Sequence, residues 1–113
     1  MKTCPFCRIV AGEGSARVVY RDDDLTAFHD RNPQAPTHVL IVPNEHIESV
    51  RGVQDSHADV LGKLFLVARR VALKEGLTEG YRLVVNTGSQ AGQSVHHLHM
   101  HLLGGRPMRW PPG

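Results

Sequence analysis

Four of the eight histidines in this 113-residue chain lie within residues 96–101. Three of them, His97, His99 and His101, alternate with apolar residues. Because side chains alternate between the two faces of a β-strand, a strand over residues 97–103 would carry the three imidazoles on one face. Neutral imidazole can attack an electrophile, move a proton or bind a metal ion. The alternation therefore predicts a strand that bears a reactive or metal-binding site.

The residues leave three interpretations of this histidine row open: a solvated surface, a metal site, or a nucleophilic site. The preceding loop, residues 87–94, favours the third. It contains Gly88, Gly92, Gln93 and Ser94, so backbone N–H groups and a hydroxyl can gather beside the imidazoles. Such a concavity suits the anionic oxygens of a phosphate, although the same residues also fit a plain connection between strands. The Gly-Lys-Ser/Thr ending of a P-loop is absent.

One long helix and five strands are expected to position these residues. From residue 55 to residue 75, apolar residues recur every three or four positions, which is typical of a helix with one buried face. Asp55 or Ser56 can cap its start, and Gly76 can end it. A short helix is expected near the N-terminus. Runs rich in β-branched residues predict strands at 17–21, 25–29, 38–43, 81–86 and 97–103. Strands before and after one long helix predict an α+β fold with an antiparallel sheet.

Length and composition restrict the class of protein. A chain of 113 residues provides one core, so residues 1–113 are expected to form a single domain. The net charge of +2 gives no broad basic surface for a nucleic-acid duplex. No apolar run approaches the roughly 20 residues that cross a bilayer, and no signal peptide is evident. Two cysteines make no disulfide framework, so a cytoplasmic protein is expected.

The segment His97–Leu103 resembles the His-φ-His-φ-His-φ-φ signature of the histidine triad (HIT) superfamily of nucleotide hydrolases and transferases, where φ is an apolar residue. Other segments resemble the Hint branch of that superfamily, so that the resemblance covers nearly the whole chain. They are residues 28–30, 33–43, 80–86, 92–95 and the tail 103–113, which ends in Trp-Pro-Pro-Gly.

This resemblance implies a HIT fold, with a five-stranded antiparallel sheet, one long helix and a short N-terminal helix. It also implies a homodimer in which the sheets of two copies join. The Hint branch comprises purine nucleoside phosphoramidases, which cleave P–N bonds such as that of adenosine 5′-phosphoramidate and also act on aminoacyl-adenylates. The implied partner is therefore a purine nucleotide substrate, with AMP as the product.

By the same resemblance, His99 is the nucleophile and forms a nucleotidyl-histidine intermediate. His101 is expected to contact the phosphate, Ser94 to bind the phosphate or the departing amine, and His38 to support the triad. The remaining implied nucleotide-binding residues are Phe28 at the base, Asp30 at the ribose hydroxyls, Arg31, Asn86, Gly92, Gln93 and Trp110. Arg31 departs from the family pattern, which has an apolar residue at that position.

The pair Cys4-Pro-Phe-Cys7 has the two-residue gap of a zinc knuckle, and His46 and His97 can complete a Cys₂His₂ site. Some bacterial members of the superfamily carry zinc on a similar set. We therefore expect a structural zinc ion and no metal requirement for catalysis. Two free thiols or a redox pair are the alternatives.

Two other functions remain open. One is a different enzyme of the superfamily, a dinucleoside polyphosphate hydrolase or a nucleotidyltransferase. The transferases replace the third histidine by glutamine, whereas His101 is present here. The other is a non-catalytic module that binds nucleotide or zinc and docks to partner proteins.

Overall fold

The computed structural model describes residues 3–113. Five strands form one antiparallel sheet, and the two α-helices pack on its opposite faces. The elements are α1 (Pro5–Val10), β1 (Val18–Arg21), β2 (Leu25–His29), β3 (Thr37–Pro43), α2 (Ala58–Lys74), β4 (Tyr81–Val84) and β5 (Met100–Gly104), with short 3₁₀ turns at Val50–Gly52, Asp55–His57 and Ser89–Ala91. The strand order is β1-β2-β3-β5-β4. The predicted α+β fold, with its long helix and short N-terminal helix, is confirmed.

Strand β3 lies at the centre of the sheet and links the two halves of the chain. Leu40 is paired with Phe28 of β2 on one side and with His101 of β5 on the other. These three side chains share one face, because paired residues in neighbouring strands point in the same direction. Segments far apart in the sequence are thereby brought together at the middle of the sheet.

The long helix α2 covers the other face of the sheet. Its buried residues include Leu64, Val67 and Val71, and they pack against residues of β3 and β5 such as Ile41 and Met100. Each buried large aliphatic side chain contributes roughly 1.5–3 kcal/mol. The predicted apolar stripe of this helix is confirmed, and it supplies much of the core.

The ends of α2 agree only in part with the sequence. Residues 55–57 form a 3₁₀ turn, and neither Asp55 nor Ser56 acts as the cap: the backbone N–H of Gln54 donates instead to Nδ1 of His57, 2.9 Å away. The C-terminal prediction is confirmed. Gly76 has φ +73°, a left-handed conformation that favours glycine, and the N–H of Leu77 donates to the carbonyl of Ala72 at 2.9 Å.

Helix α1 lies on the face of the sheet opposite α2. Cys4 is its N-cap, with Sγ accepting a hydrogen bond from the N–H of Cys7 at 3.3 Å. Phe6 is the buried residue of α1 and packs against Phe28 and Leu40. This helix therefore forms one wall of the region next to His101.

The predicted strand over residues 97–103 needs correction, since β5 spans Met100–Gly104 and His97 and His99 precede it. The neighbouring strand β3 ends at Pro43. Residues 97 and 98 therefore hydrogen-bond to the end of β3 and to the loop that follows it. The N–H of Leu98 donates to Ile47 O at 2.6 Å, and the His97 ring bonds to Pro43 O. The predicted strands at 17–21 and 81–86 are also shorter than expected, at Val18–Arg21 and Tyr81–Val84.

None of the helices formed by residues 3–113 is long and apolar enough to cross a membrane.

Candidate active site

A cavity of about 770 Å³ opens on the α1 side of the sheet; we call it the main cavity. Predicted site residues from both halves of the chain line it. They are Phe28, Asp30, Arg31, Ser94, His99 and His101. A cavity of this size lies within the range of small-molecule sites, about 300–1,000 Å³.

His99 has one ring nitrogen engaged and one available. Its Nδ1 donates to the backbone carbonyl of His97 at 2.6 Å, so in the neutral ring Nε2 carries the lone pair. Burial lowers the pKa of His99, which is 6% exposed, and this favours the neutral form. Edge-to-face contact with Phe6, at 5.1 Å between ring centroids, holds the ring in place. His99 is thus a neutral, oriented imidazole with a nucleophilic nitrogen.

The protonation of His101 follows from a chain of hydrogen bonds that begins at the backbone. The N–H of Gln34 donates to Nδ1 of His38 at 3.0 Å, so the proton of neutral His38 is on Nε2. That Nε2 lies 2.9 Å from Nδ1 of His101 and 3.4 Å from Oδ2 of Asp30. Nδ1 of His101 therefore accepts, and the ring carries its own proton on Nε2.

Nε2 of His101 is the one fully buried side-chain nitrogen or oxygen in residues 3–113 that lacks a hydrogen-bond partner. A buried donor without a partner lowers the stability of the fold, and a role in ligand binding would explain why it is there. Burial, together with the neighbouring His99 and His38, lowers the pKa of His101 to about 4, so the ring is neutral near pH 7. Burial likewise lowers the pKa of His38, against the opposing effect of Asp30. The site thus offers an N–H donor from His101, whose ring centroid lies 5.0 Å from that of His99, in the cavity that both residues line.

Four predicted nucleotide-binding residues, Asn86, Gly92, Gln93 and Trp110, do not line the main cavity. The buried Gln93 amide instead holds its own loop together. It donates to Glu48 O at 2.9 Å and to Val95 O at 3.1 Å, and it accepts from the N–H of Gly88 at 2.9 Å. Gln93 thereby fixes the backbone on both sides of Ser94.

The other three residues, Gly92, Asn86 and Trp110, lie in different parts of the structure. Gly92 has φ +83° at the end of the 3₁₀ turn Ser89–Ala91, Asn86 is half-buried beyond β4, and Trp110 is 82% exposed in the C-terminal tail.

The sequence reasoning missed the part of the cavity wall that comes from the N-terminal segment. Phe6 and Ile9 of α1 line the cavity, as do Ala16 and Arg17 before β1. The spacing of Phe6 and Ile9, three residues apart in a predicted helix, marked one apolar face, but nothing in the sequence showed what that face would contact.

The second predicted cluster lies beside the first. Sγ of Cys4 and of Cys7 and Nδ1 of His46 and of His97 all lie within 4.8 Å of one another. Cys7 Sγ is 3.2 Å from His46 Nδ1 and 3.5 Å from His97 Nδ1, and Cys4 Sγ is 3.4 Å from His97 Nδ1. Both cysteines are free thiols, so the four side chains predicted as metal ligands are brought together without a disulfide.

The donor set fits a tetrahedral zinc ion. Ligands at normal Zn–S and Zn–N distances are separated by about 3.6 Å in a tetrahedron, close to the spacings here. Nε2 of His97 donates to Pro43 O at 2.8 Å, which leaves the lone pair of its Nδ1 directed at the two thiols. Burial, followed by the neighbouring Cys4, raises the pKa of the Cys7 thiol.

The chain is similar in sequence to a known protein family and to named proteins. The family described as "HIT domain" matches residues 11–108. A protein named "Purine nucleoside phosphoramidase" from Escherichia coli (strain K12) is 50% identical over 104 residues, covering 91% of this chain and 87% of that protein. A "14 kDa zinc-binding protein" from Zea mays is 48% identical over 110 residues, covering 96% of this chain and 86% of that protein.

Among solved structures, a HIT family hydrolase from Legionella pneumophila Philadelphia 1 superposes with a TM-score of 0.95. It is 49% identical in sequence, and the match covers 98% of this chain and 100% of that one.

Proposed function

Because the chain belongs to the HIT domain family and resembles its hydrolases, we propose that it hydrolyses purine nucleoside 5′-phosphoramidates and aminoacyl-adenylates to the nucleoside monophosphate. The observation that carries this proposal is the pairing of two ring nitrogens in one cavity. His99 presents a lone pair on Nε2, and His101 presents an N–H on Nε2. The lone pair of His99 suits attack on phosphorus, and the N–H of His101 suits donation to an anionic phosphate oxygen.

In the first step Nε2 of His99 attacks the α-phosphorus and forms a P–N bond to the ring. In a phosphoramidate the bond from phosphorus to the leaving nitrogen breaks, its electron pair stays on that nitrogen, and the nitrogen takes up a proton. In an aminoacyl-adenylate the P–O bond breaks instead, and the amino acid leaves as its carboxylate. The phosphorylated ring becomes cationic, and its Nδ1–H donates to the His97 carbonyl, which stabilises the positive charge. Ser94 supplies a hydroxyl at the cavity wall for the phosphate or for the departing amine.

In the second step water attacks the same phosphorus, and the bond to His99 breaks. The electron pair returns to Nε2, the water loses a proton, and AMP is released. For a phosphoramidate this proton replaces the one that the leaving nitrogen took up in the first step; for an aminoacyl-adenylate it is released to the solvent. In both steps the N–H of His101 donates to a phosphate oxygen as negative charge grows there, which lowers the barrier.

The nucleoside would occupy the rest of the main cavity. Phe6 and Phe28, whose ring centroids are 5.3 Å apart, offer an apolar surface for the base. Asp30 provides a carboxylate for the two ribose hydroxyls, and Arg31 lies beside it on the cavity wall. We assign Asn86, Gly92, Gln93 and Trp110 to the loop and tail that surround this nucleotide rather than to its direct contacts.

We also propose that Cys4, Cys7, His46 and His97 hold a structural zinc ion, which supplies cross-linking rather than chemistry. The zinc-binding name of the maize relative supports this assignment, as does the fit of the donor set. Zinc here would join α1 to the segment that carries His99. No step of the proposed reaction uses it.

A homodimer is part of the proposal. Strand β4 is an edge strand, and Tyr81 at its start and Val85 directly after its end are exposed. An exposed edge with apolar side chains is suited to pairing with a second copy. Sedimentation at micromolar concentration is expected to give twice the monomer mass of 12.5 kDa; a single-chain mass would contradict this part.

The decisive experiment is an assay of three activities side by side, with the His99→Ala variant in parallel. The assays are hydrolysis of adenosine 5′-phosphoramidate, hydrolysis of a diadenosine polyphosphate, and binding of AMP. We expect phosphoramidate hydrolysis by the wild type, loss of at least about a thousandfold in kcat in the variant, and AMP binding by both.

The other outcomes identify the alternatives. Preferential cleavage of the diadenosine compound would assign a dinucleoside polyphosphate hydrolase. Binding of AMP with no turnover of either compound would assign a non-catalytic nucleotide-binding module.

A further inference from the structure

Two arginines, Arg17 and Arg31, line the main cavity, and both are exposed. Other arginines of the chain are engaged: the guanidinium groups of Arg21, Arg82 and Arg106 donate to backbone carbonyls. The side chains of Arg17 and Arg31, in contrast, have no hydrogen-bond or ion-pair partner within the described part of the chain. The reaction steps proposed above use neither, so both guanidinium groups are available to a ligand in the cavity.

The backbone at Arg31 is held by the residue before it. Oδ1 of Asp30 accepts a hydrogen bond from the N–H of Asn32 at 2.8 Å, the arrangement of an Asx turn with Arg31 at its middle. Oδ2 of the same carboxylate lies 3.4 Å from Nε2 of His38. The Arg31 side chain therefore leaves the backbone at a defined position, next to Asp30.

The neighbours of Arg31 indicate which part of a nucleotide its guanidinium group meets. In the proposed binding mode the phosphate lies at His99 and His101, the ribose hydroxyls bind Asp30, and the base lies on Phe28. The base is joined to C1′ of the ribose, beside the carbon that carries the 2′-hydroxyl. A long side chain from the residue that follows Asp30 can therefore reach the edge of the base.

The donors and acceptors of the cavity distinguish the two common purines. An arginine presents two parallel N–H donors and no acceptor. Guanine has two acceptors, O6 and N7, on one edge, whereas adenine has the acceptor N7 beside its amino group, a donor. Among the described residues that line the cavity, none is an asparagine or a glutamine, and Asp30 is the one carboxylate. A guanidinium group at the base thus matches guanine with two hydrogen bonds and adenine with one.

We propose that Arg31 is a specificity-determining residue that selects guanine over adenine by donating to O6 and N7 of the base. This inference rests on the proposed function and names the base of its preferred substrate. The contact lies away from the phosphorus, so it is the same in the bound state and in the transition state. Its effect therefore falls on nucleotide affinity and KM rather than on kcat.

The experiment is calorimetric titration of the protein with four nucleotides: AMP, GMP, inosine 5′-monophosphate and 7-deaza-GMP. We expect GMP to bind about tenfold more tightly than AMP, toward the lower end for a bidentate contact because Arg31 is exposed. Inosine monophosphate keeps O6 and N7 but lacks the 2-amino group, and it should bind like GMP. In 7-deaza-GMP a C–H group replaces N7, so this nucleotide should bind more weakly than GMP.

Three variants assign the preference to the Arg31 fork. Arg31→Met keeps much of the length of the side chain without its donors and should bring the ratio of the AMP and GMP dissociation constants to about one. Arg31→Lys keeps the charge without the planar fork, so it should also lose most of the preference. Arg69→Met is the matched control, since Arg69 is exposed on α2 and lies outside the cavity lining. This control should keep the wild-type ratio.

The inference is overturned if wild type binds AMP and GMP equally, if Arg31→Met keeps the wild-type ratio, or if Arg17→Met is the variant that loses it. Binding of inosine monophosphate like AMP would also overturn it, because the 2-amino group would then carry the preference. Turnover of adenosine and guanosine 5′-phosphoramidates by the same preparations tests the proposed function separately. Turnover with equal affinities leaves that function standing alone. A guanine preference without turnover supports the role of Arg31 and contradicts the phosphoramidase, and failure to bind any of the nucleotides contradicts both.

Discussion

Nε2 of His38 lies 2.9 Å from Nδ1 of His101, and the backbone N–H of Gln34 fixes the direction in which this hydrogen bond runs. A main-chain amide cannot reverse its polarity, so the tautomers of both rings are set by the loop before β3. The consequence is a donor, rather than an acceptor, on the His101 nitrogen that has no partner.

Replacing His38 therefore tests whether this relay, the hydrogen bonds from Gln34 to His38 and from His38 to His101, is needed for activity. In His38→Phe an aromatic ring is kept, but the donor to Nδ1 of His101 is lost, so the His101 tautomer is no longer fixed. We expect kcat for adenosine 5′-phosphoramidate to fall about tenfold to a hundredfold, as is usual for groups that orient an active residue. AMP affinity should change little. The ¹⁵N chemical shifts of His101 report the tautomer directly, and an unchanged shift together with unchanged kcat would show that the relay has no role.

The buried histidines make stability depend on pH. Burial lowers the pKa of His101 to about 4, and it lowers those of His38 and His99 as well. The unfolded chain takes up these protons near pH 6.5, so between pH 6.5 and 4 it binds more protons than the folded state. Stability is thus fully present above pH 6.5 and is lost as the pH falls toward 4. Each excess proton contributes a slope of about 1.4 kcal/mol per pH unit.

Urea unfolding at several pH values between 7 and 4.5 measures this slope. His101→Gln removes one of the titrating groups and should give a shallower dependence on pH. A free energy of unfolding that stays constant over this range would contradict the assignment of neutral buried rings.

Metal removal is expected to affect both stability and nucleotide binding. In Cys7→Ser we expect loss of bound zinc, a lower melting temperature and weaker AMP binding, because α1 also carries Phe6 of the cavity wall. Elemental analysis and calorimetric titration with AMP measure the two effects. Arg8→Ala, an exposed change on the same helix, is the control and should retain the metal. Full zinc content in Cys7→Ser would rule out the four-ligand assignment.

The loop before the histidines depends on the buried Gln93 amide. In Gln93→Leu the N–H of Gly88 and the carbonyl of Glu48 lose their side-chain partner, which costs about 1–3 kcal/mol of stability. Displacement of Ser94 should also raise KM for the phosphoramidate. Gln90→Leu changes an exposed glutamine of the same loop and should alter neither quantity. Equal effects in the two variants would mean that the internal bonds of Gln93 are not needed.

Local patterns were enough to predict most of the fold. Strand β2 matches its predicted bounds, 25–29, and the stripe that includes Leu64 and Val71 identified the buried face of α2. Both depend only on periodicity and on the residues that end each element. They needed no knowledge of the rest of the chain.

Features that depend on distant partners could not be predicted in this way. The alternation of His97, His99 and His101 suggested one continuous strand, but the chain before Met100 bonds to Pro43 and Ile47 instead of continuing along β3. The use of Gln93 inside its own loop also depends on a distant partner, the carbonyl of Glu48. The sequence suggested candidate site residues, and the structure was needed to find their hydrogen-bond partners.

One face of the sheet packs against α2 and the other forms the cavity, and this separation has an evolutionary consequence. The aliphatic interface with α2 lies behind the strands, so substitutions there can raise or lower thermal tolerance without touching the imidazoles. Conversely, side chains at the cavity rim, such as Arg31, can be exchanged to suit new substrates at little cost to the hydrophobic interior. A scaffold arranged in this way can diversify its chemistry and adapt to temperature as two nearly independent traits.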